Sequence, residues 1–157
     1  MAADTSFEER WPRPSVMGVL NVTPDSFSDG GRFVDPGVAV DHGRRLAAEG
    51  ALLVDVGGES TRPGAAPVSA GEELARIEPV LDGLRGLPIS VDTSKAIVAR
   101  RALELGAELV NDVTALGGDP DMAEVVAGGD AFVCLMHMQG EPRTMQVVPR
   151  YLSLIHI

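Results

Sequence analysis

Asn21, Asp55, Asp92, Asn111 and His137 each stand at the downstream end of a short apolar run. A carboxylate in such a place accepts hydrogen bonds, and a side-chain amide both donates and accepts. Together they suit the edge of a nitrogen-rich heterocycle. Two loops add other chemistry. The first reads Asn21-Val22-Thr23-Pro24-Asp25-Ser26-Phe27-Ser28-Asp29-Gly30-Gly31. The second, Gly57-Gly58-Glu59-Ser60-Thr61-Arg62-Pro63-Gly64, sets hydroxyls and a guanidinium among small residues. An Arg beside a Thr and backbone N–H groups can hold phosphate through charge-assisted hydrogen bonds. Plainer readings exist for each position: a turn former at Asn21, a surface side chain at Arg62, hydrogen-bonded architecture at His137. His137 is given no catalytic role on that ground. Asp55 could serve the loops as a supporting acceptor and stays outside the candidate site.

The elements that must carry these groups follow from the apolar pattern. Val16–Leu20, Ala51–Val56, Pro88–Asp92, Leu109–Val113 and Ala131–His137 are short, β-rich runs and read as strands. Helical spacing lies between them. Val38–Glu49 ends at Gly50, and a helix over Leu74, Ile77, Leu81 and Leu84 starts from a Ser69/Glu72 capping box. Pro79 should kink or restart that helix. Thr93 or Ser94 is expected to cap a third helix, with Ile97, Val98, Ala102 and Leu105 inward, and Asp119–Ala127 gives a short fourth. Alternating strands and helices argue for a parallel sheet with right-handed crossovers. No Gly-x-Gly-x-x-Gly follows the first strand, which speaks against a dinucleotide-binding sheet. Polar strand ends favour a (β/α)8 barrel, an α/β fold that builds its site there. Such a barrel takes about 250 residues, so five strands are the partial TIM barrel expected here. The expected organisation is a flexible leader over 1–14, an incomplete barrel domain over 15–151 and an anomalous end over 152–157.

Composition narrows the partners. Of 157 residues, 13 are basic and 23 acidic, for a net charge of −10, with one lysine and no basic run. Neither nucleic acid nor an anionic membrane is an expected partner. The single cysteine, Cys134, supports no internal disulfide, and no apolar stretch approaches the ~18 residues that span a bilayer. A cytoplasmic location is the expectation.

Five motifs then occur in a recognisable order: Asn21 to Gly31, Gly58-Glu59-Ser60-Thr61-Arg62-Pro63-Gly64, Ser90-Val91-Asp92-Thr93-Ser94-Lys95, Asn111-Asp112-Val113 and Leu135-Met136-His137-Met138-Gln139-Gly140. Over roughly residues 16–151 the chain resembles the dihydropteroate synthases. The resemblance implies a pterin-binding barrel in which p-aminobenzoate displaces pyrophosphate from dihydropterin-methyl pyrophosphate, giving dihydropteroate for folate synthesis. It implies that Asn21 helps hold Mg2+ and that Thr61 and Arg62 meet the phosphate side. It places Asp92 and Asn111 on the pterin, and Phe27 and Pro63 near p-aminobenzoate. Val113 and Met136 match the walls of the pterin slot, although core packing explains them equally. Family members continue with further strands that carry another pterin-binding Asp, a Lys and a late Ser-x-Arg-x-His motif, none of which can be placed here. Hence the oligomeric state stays open, with a homodimer a candidate at full length, and the 157-residue chain alone is expected not to turn over. The alternatives are a non-catalytic pterin-binding homologue or inactive fragment, and a pterin-dependent methyltransferase domain on a related barrel.

Overall fold

Five apolar runs become five parallel strands: β1 (Met17–Asn21), β2 (Leu53–Gly57), β3 (Ile89–Asp92), β4 (Leu109–Asp112) and β5 (Phe132–Leu135). A computed structural model describes residues 6–23, 35–60, 66–140, 144–145, 147–153 and 155. The strands pair in chain order, β1-β2-β3-β4-β5, and every pairing is parallel. A doubly wound sheet reverses its order at a switch point, whereas a (β/α)8 barrel does not. The order therefore decides between the two folds in favour of the barrel. The helices are α1 (Phe7–Arg10), α2 (Pro36–Ala48), α3 (Ala70–Gly83), α4 (Ala96–Glu104) and α5 (Met122–Ala127).

Alternation along each strand divides the sheet into two faces. Leu20, Val56, Val91 and Val110 lie in one register row, are fully buried, and pack against Ile77 and Val80 of α3 and Val98 of α4. Burying each such side chain contributes about 1.5–3 kcal/mol. Gly18 belongs to this face, since a Cβ there would lie 3.1 Å from Leu46 Cβ of α2. The other face looks into the barrel. On β1 it carries Met17 and Val19, exposed at 39% and 57% because no described strand closes the arc opposite them. On the outer side of β5, Val133 and Leu135 are likewise exposed, with no described helix over them.

Several local expectations are corrected. Where a flexible leader was expected over 1–14, Phe7–Arg10 form α1, held by a reciprocal Ser6/Glu9 capping box. Trp11, 3% exposed, then packs with Leu53, Leu109 and Phe132 and closes the bottom of the inner face. Arg10 grips Glu108 with two bonds of 2.7 and 2.8 Å. Pro79 does not restart α3, which runs unbroken from Ala70 to Gly83. The cap of α4 is supplied from outside its own turn: Asp119 Oδ2 accepts from Ala96 N at 2.9 Å, while Thr93 only accepts from Lys95 N. Gly50 and Gly106 do end α2 and α4 at φ of +114° and +104°, where an L side chain would be strained.

Candidate functional site

The strand tips define one row. Asn21 pairs with Gly57, Gly57 with Asp92, Asp92 with Asn111, and Asn111 with Cys134. Residues paired in this way across a parallel sheet turn their side chains to the same face. This row is the rim of the inner face, at the C-terminal ends of the strands. Gly57 leaves the middle of the rim open: a Cβ there would stand 3.4 Å from Asp92 Oδ2 and 3.7 Å from Asn21 Oδ1. Asn21 and Asp92 thus face one another across a gap that only a missing side chain creates.

One layer deeper lies the row Val19, Asp55, Ser90, Leu109 and Phe132. Asp55 is 4% exposed, and its Oδ2 accepts from Asn111 Nδ2 at 3.0 Å, reaching past β3. Burial pushes the Asp55 carboxyl up, with Ser90 and Asn111 partly offsetting it. Asp92 is affected more. Burial first, and then the negative charge of Asp55, Glu73, Asp112 and Glu59, raise it to about 7. Its Oδ1 is buried without a hydrogen-bond partner among the described residues. Such a carboxyl is costly unless a donor arrives, and a ligand N–H is one.

A charge network fixes the flank of this rim. Lys95, at the start of α4, donates to Glu59 and, at 2.6 Å, to Glu73 Oε2 of α3, which is fully buried. Burial works against the ammonium, but these two bonds outweigh it and hold Lys95 above its ordinary range. Glu59 also accepts from Val68 N at 3.1 Å, and Arg76 of α3 donates to Gly58 O at 2.8 Å. The near end of the segment after β2 is therefore tied to α3 and to Lys95, and Glu59 holds its far end at Val68. Lys95 is committed to carboxylates and is not a free phosphate ligand.

Of the sequence-derived site residues, Asn21, Asp92 and Asn111 come together on one rim. Phe27, Thr61, Arg62 and Pro63 lie outside the described residues. His137 falls beyond β5, which stops at Leu135; it is exposed and meets Tyr151 in a tilted ring contact at 5.5 Å, while Cys134 takes the rim position. Asp55 does not end its strand either. Gly57 does, and Asp55 sits beneath the rim as a supporting acceptor. Asp112 points to the helix side and ties its own turn, accepting from Thr114 N and Leu116 N at 2.8 Å each. Reasoning from sequence missed Glu73. Its place in the first turn of α3 looks like an ordinary helix-start acid, and only its pairing with Lys95 shows otherwise.

The family model for pterin binding enzymes matches residues 17–156, and the chain belongs to that family. Within it, the chain is 51% identical over 141 residues to the dihydropteroate synthase of Escherichia coli K12, covering 88% of this chain and 50% of that protein. The chain spans about half the length of the curated relatives it matches. Among solved structures it is similar to the Yersinia pestis dihydropteroate synthase in complex with a sulfonamide drug, with 51% identity and a TM-score of 0.82, covering 92% of this chain and 53% of that one. The Xanthomonas albilineans dihydropteroate synthase with 4-aminobenzoic acid gives 51% identity and a TM-score of 0.78, with 90% and 50% covered.

Proposed function

We propose that this chain carries the pterin half of a dihydropteroate synthase site, in which p-aminobenzoate displaces pyrophosphate from dihydropterin-methyl pyrophosphate. The observation that supports it best is the rim of Asn21, Gly57, Asp92 and Asn111, with one Asp92 oxygen left for a donor. A pterin offers neighbouring amino and ring N–H groups, and Asp92 accepts from them. Binding there recovers part of the cost of burying the carboxylate. Asn111 adds an amide on the next strand. Gly57 leaves room for a flat ring to approach the backbone.

The reaction needs little base assistance, because an aromatic amine attacks in its neutral form. The bond from the pterin methylene carbon to the diphosphate oxygen breaks first, with the pterin ring delocalising the positive charge left on that carbon, and the amine nitrogen then bonds to it. The amine proton leaves to solvent or to the released diphosphate. Charge develops on the leaving group, and Thr61 and Arg62 are the residues whose chemistry suits it. Phe27 and Pro63 are assigned to the p-aminobenzoate side. Asn21 is the proposed Mg2+ ligand. The donor fits: the Asn21 side chain turns its carbonyl oxygen toward the opening at Gly57, and Mg2+ takes oxygen, keeps waters and shares substrate phosphates. When bound, the ion would neutralise charge on the departing diphosphate. No helix among the described residues is long and apolar enough to cross a membrane. A cytoplasmic enzyme that dimerises at full length is part of the same proposal.

Titration calorimetry of the chain with dihydropterin-methyl pyrophosphate tests this reading. Binding is expected in the parent chain, lost in Asp92→Ala, and weakened in Asn21→Ala only when magnesium is present. Equal affinity in the parent and Asp92→Ala would remove the proposal.

A further inference from the structure

Among the described residues, Asn111 is the one on the rim whose side chain is engaged by the layer below. Asp55 lies on β2 and Asn111 on β4, with β3 between them. The gap is bridged because β3 carries only Ser90 at the level of Asp55. Asp55 Oδ2 then accepts from Asn111 Nδ2 at 3.0 Å. A carboxylate has no hydrogen to give, so the amide must turn its nitrogen toward it. That leaves the Asn111 carbonyl as the other end of the amide, on the rim beside Asp92, its neighbour in register.

We infer that Asp55 is a positioning residue which fixes the Asn111 amide so that its carbonyl and the Asp92 carboxylate form an acceptor pair selecting a 2-amino heterocycle over its 2-oxo analogue. The ligand half of this inference rests on the pterin reading above; the orientation of the amide does not. A free amide could present either end, and half of its orientations would offer an N–H where the ligand also offers one. A locked amide pays no such orientational cost at binding. The pair is matched to adjacent N–H donors. A ring with a carbonyl at that position would set oxygen against oxygen, and unpaired buried acceptors discriminate strongly. Asp55 touches no ligand in this scheme. It acts through Asn111, at a position where it is 4% exposed.

The test uses the whole 157-residue chain with two probes, 6-hydroxymethylpterin and its 2-oxo counterpart, 6-hydroxymethyllumazine. NMR of the Asn111 side-chain amide supplies a readout that needs no ligand. In the parent chain, one Nδ2 proton is expected downfield and slow to exchange. In Asp55→Ala that signature is lost, and in the isosteric Asp55→Asn, whose carbonyl still accepts but carries no charge, it is weakened, while the backbone spectrum of the five strands persists. The preference for pterin over lumazine falls by about tenfold, equal to roughly 1.4 kcal/mol. The exchanged pair Asp55→Asn with Asn111→Asp restores an acceptor on the rim, held by an amide below, and regains part of the preference. An unchanged amide signature in both single variants overturns the inference. So does a lost signature with undiminished preference, which would leave Asp55 with a structural role only. If the parent chain binds neither probe, the pterin reading falls, and the NMR result alone decides whether Asp55 holds the amide.

Discussion

Replacing Asp92 by Asn should stabilise the chain at pH 8 while abolishing pterin binding. In the folded chain the Asp92 carboxyl is raised from 3.8 to about 7, first by burial and then by Asp55, Glu73, Asp112 and Glu59. The native state therefore holds this proton more tightly than the unfolded chain does. Stability is fully present below about pH 4 and falls as the pH rises through about 7, because the unfolded chain gives up the proton first. Each pKa unit corresponds to about 1.4 kcal/mol, so the whole shift is worth on the order of 4 kcal/mol above pH 8. Water entry and relaxation reduce this in practice. Asn has the same shape and no charge, so the variant should gain about 1–3 kcal/mol at pH 8 and about a quarter of that at pH 4.5. Urea unfolding of both proteins at the two pH values measures the difference. A variant less stable than the parent at pH 8, or a difference independent of pH, would refute the reasoning, since either result means that the carboxylate is already satisfied in the folded chain.

Gly57 and Gly58 should respond oppositely to alanine. A Cβ at Gly57 meets Asp92 at 3.4 Å, an ordinary contact, so Gly57→Ala should keep its melting temperature within a few degrees while weakening pterin affinity measured by calorimetry. At Gly58 it would stand 2.8 Å from Ile77 and 2.9 Å from Glu73, and Gly58→Ala should lower the melting temperature clearly. Trp11→Ala should cost about 3 kcal/mol in urea unfolding by emptying the bottom of the inner face, whereas a loose leader would make it silent. Lys95→Met leaves the fully buried Glu73 without its cation and should cost about 3 kcal/mol, recovered in part by adding Glu73→Gln. Equal losses in the single and double variants would show that the pair is not coupled.

The apolar runs, the glycine stops and the Ser69/Glu72 cap were readable because they depend on neighbours a few residues away. The same holds for Asn21, Asp92 and Asn111, whose position at strand ends is a local pattern. Contacts across the fold were not readable. That Asp119 caps α4, that Lys95 reaches Glu73, and that Trp11 seals the inner face follow from which strands and helices become adjacent, a fact no window of sequence contains. Pro79 shows propensity overridden: burial of Ile77, Val80 and Leu81 on either side holds α3 together through it. Asp55 shows the limit of strand-end logic. Two residues of further pairing, to Gly57, move it from the rim to the layer beneath.

Backbone NMR of the labelled chain during titration with dihydropterin-methyl pyrophosphate asks whether four distant segments serve one ligand. The amides of Asn21, Gly57, Asp92 and Asn111 should shift together along a single saturation curve, while those facing the helices, such as Leu20 and Val91, stay near their starting positions. Shifts confined to one of these strands, or scattered over the outer helices with separate curves, would mean that the strand tips do not share a ligand.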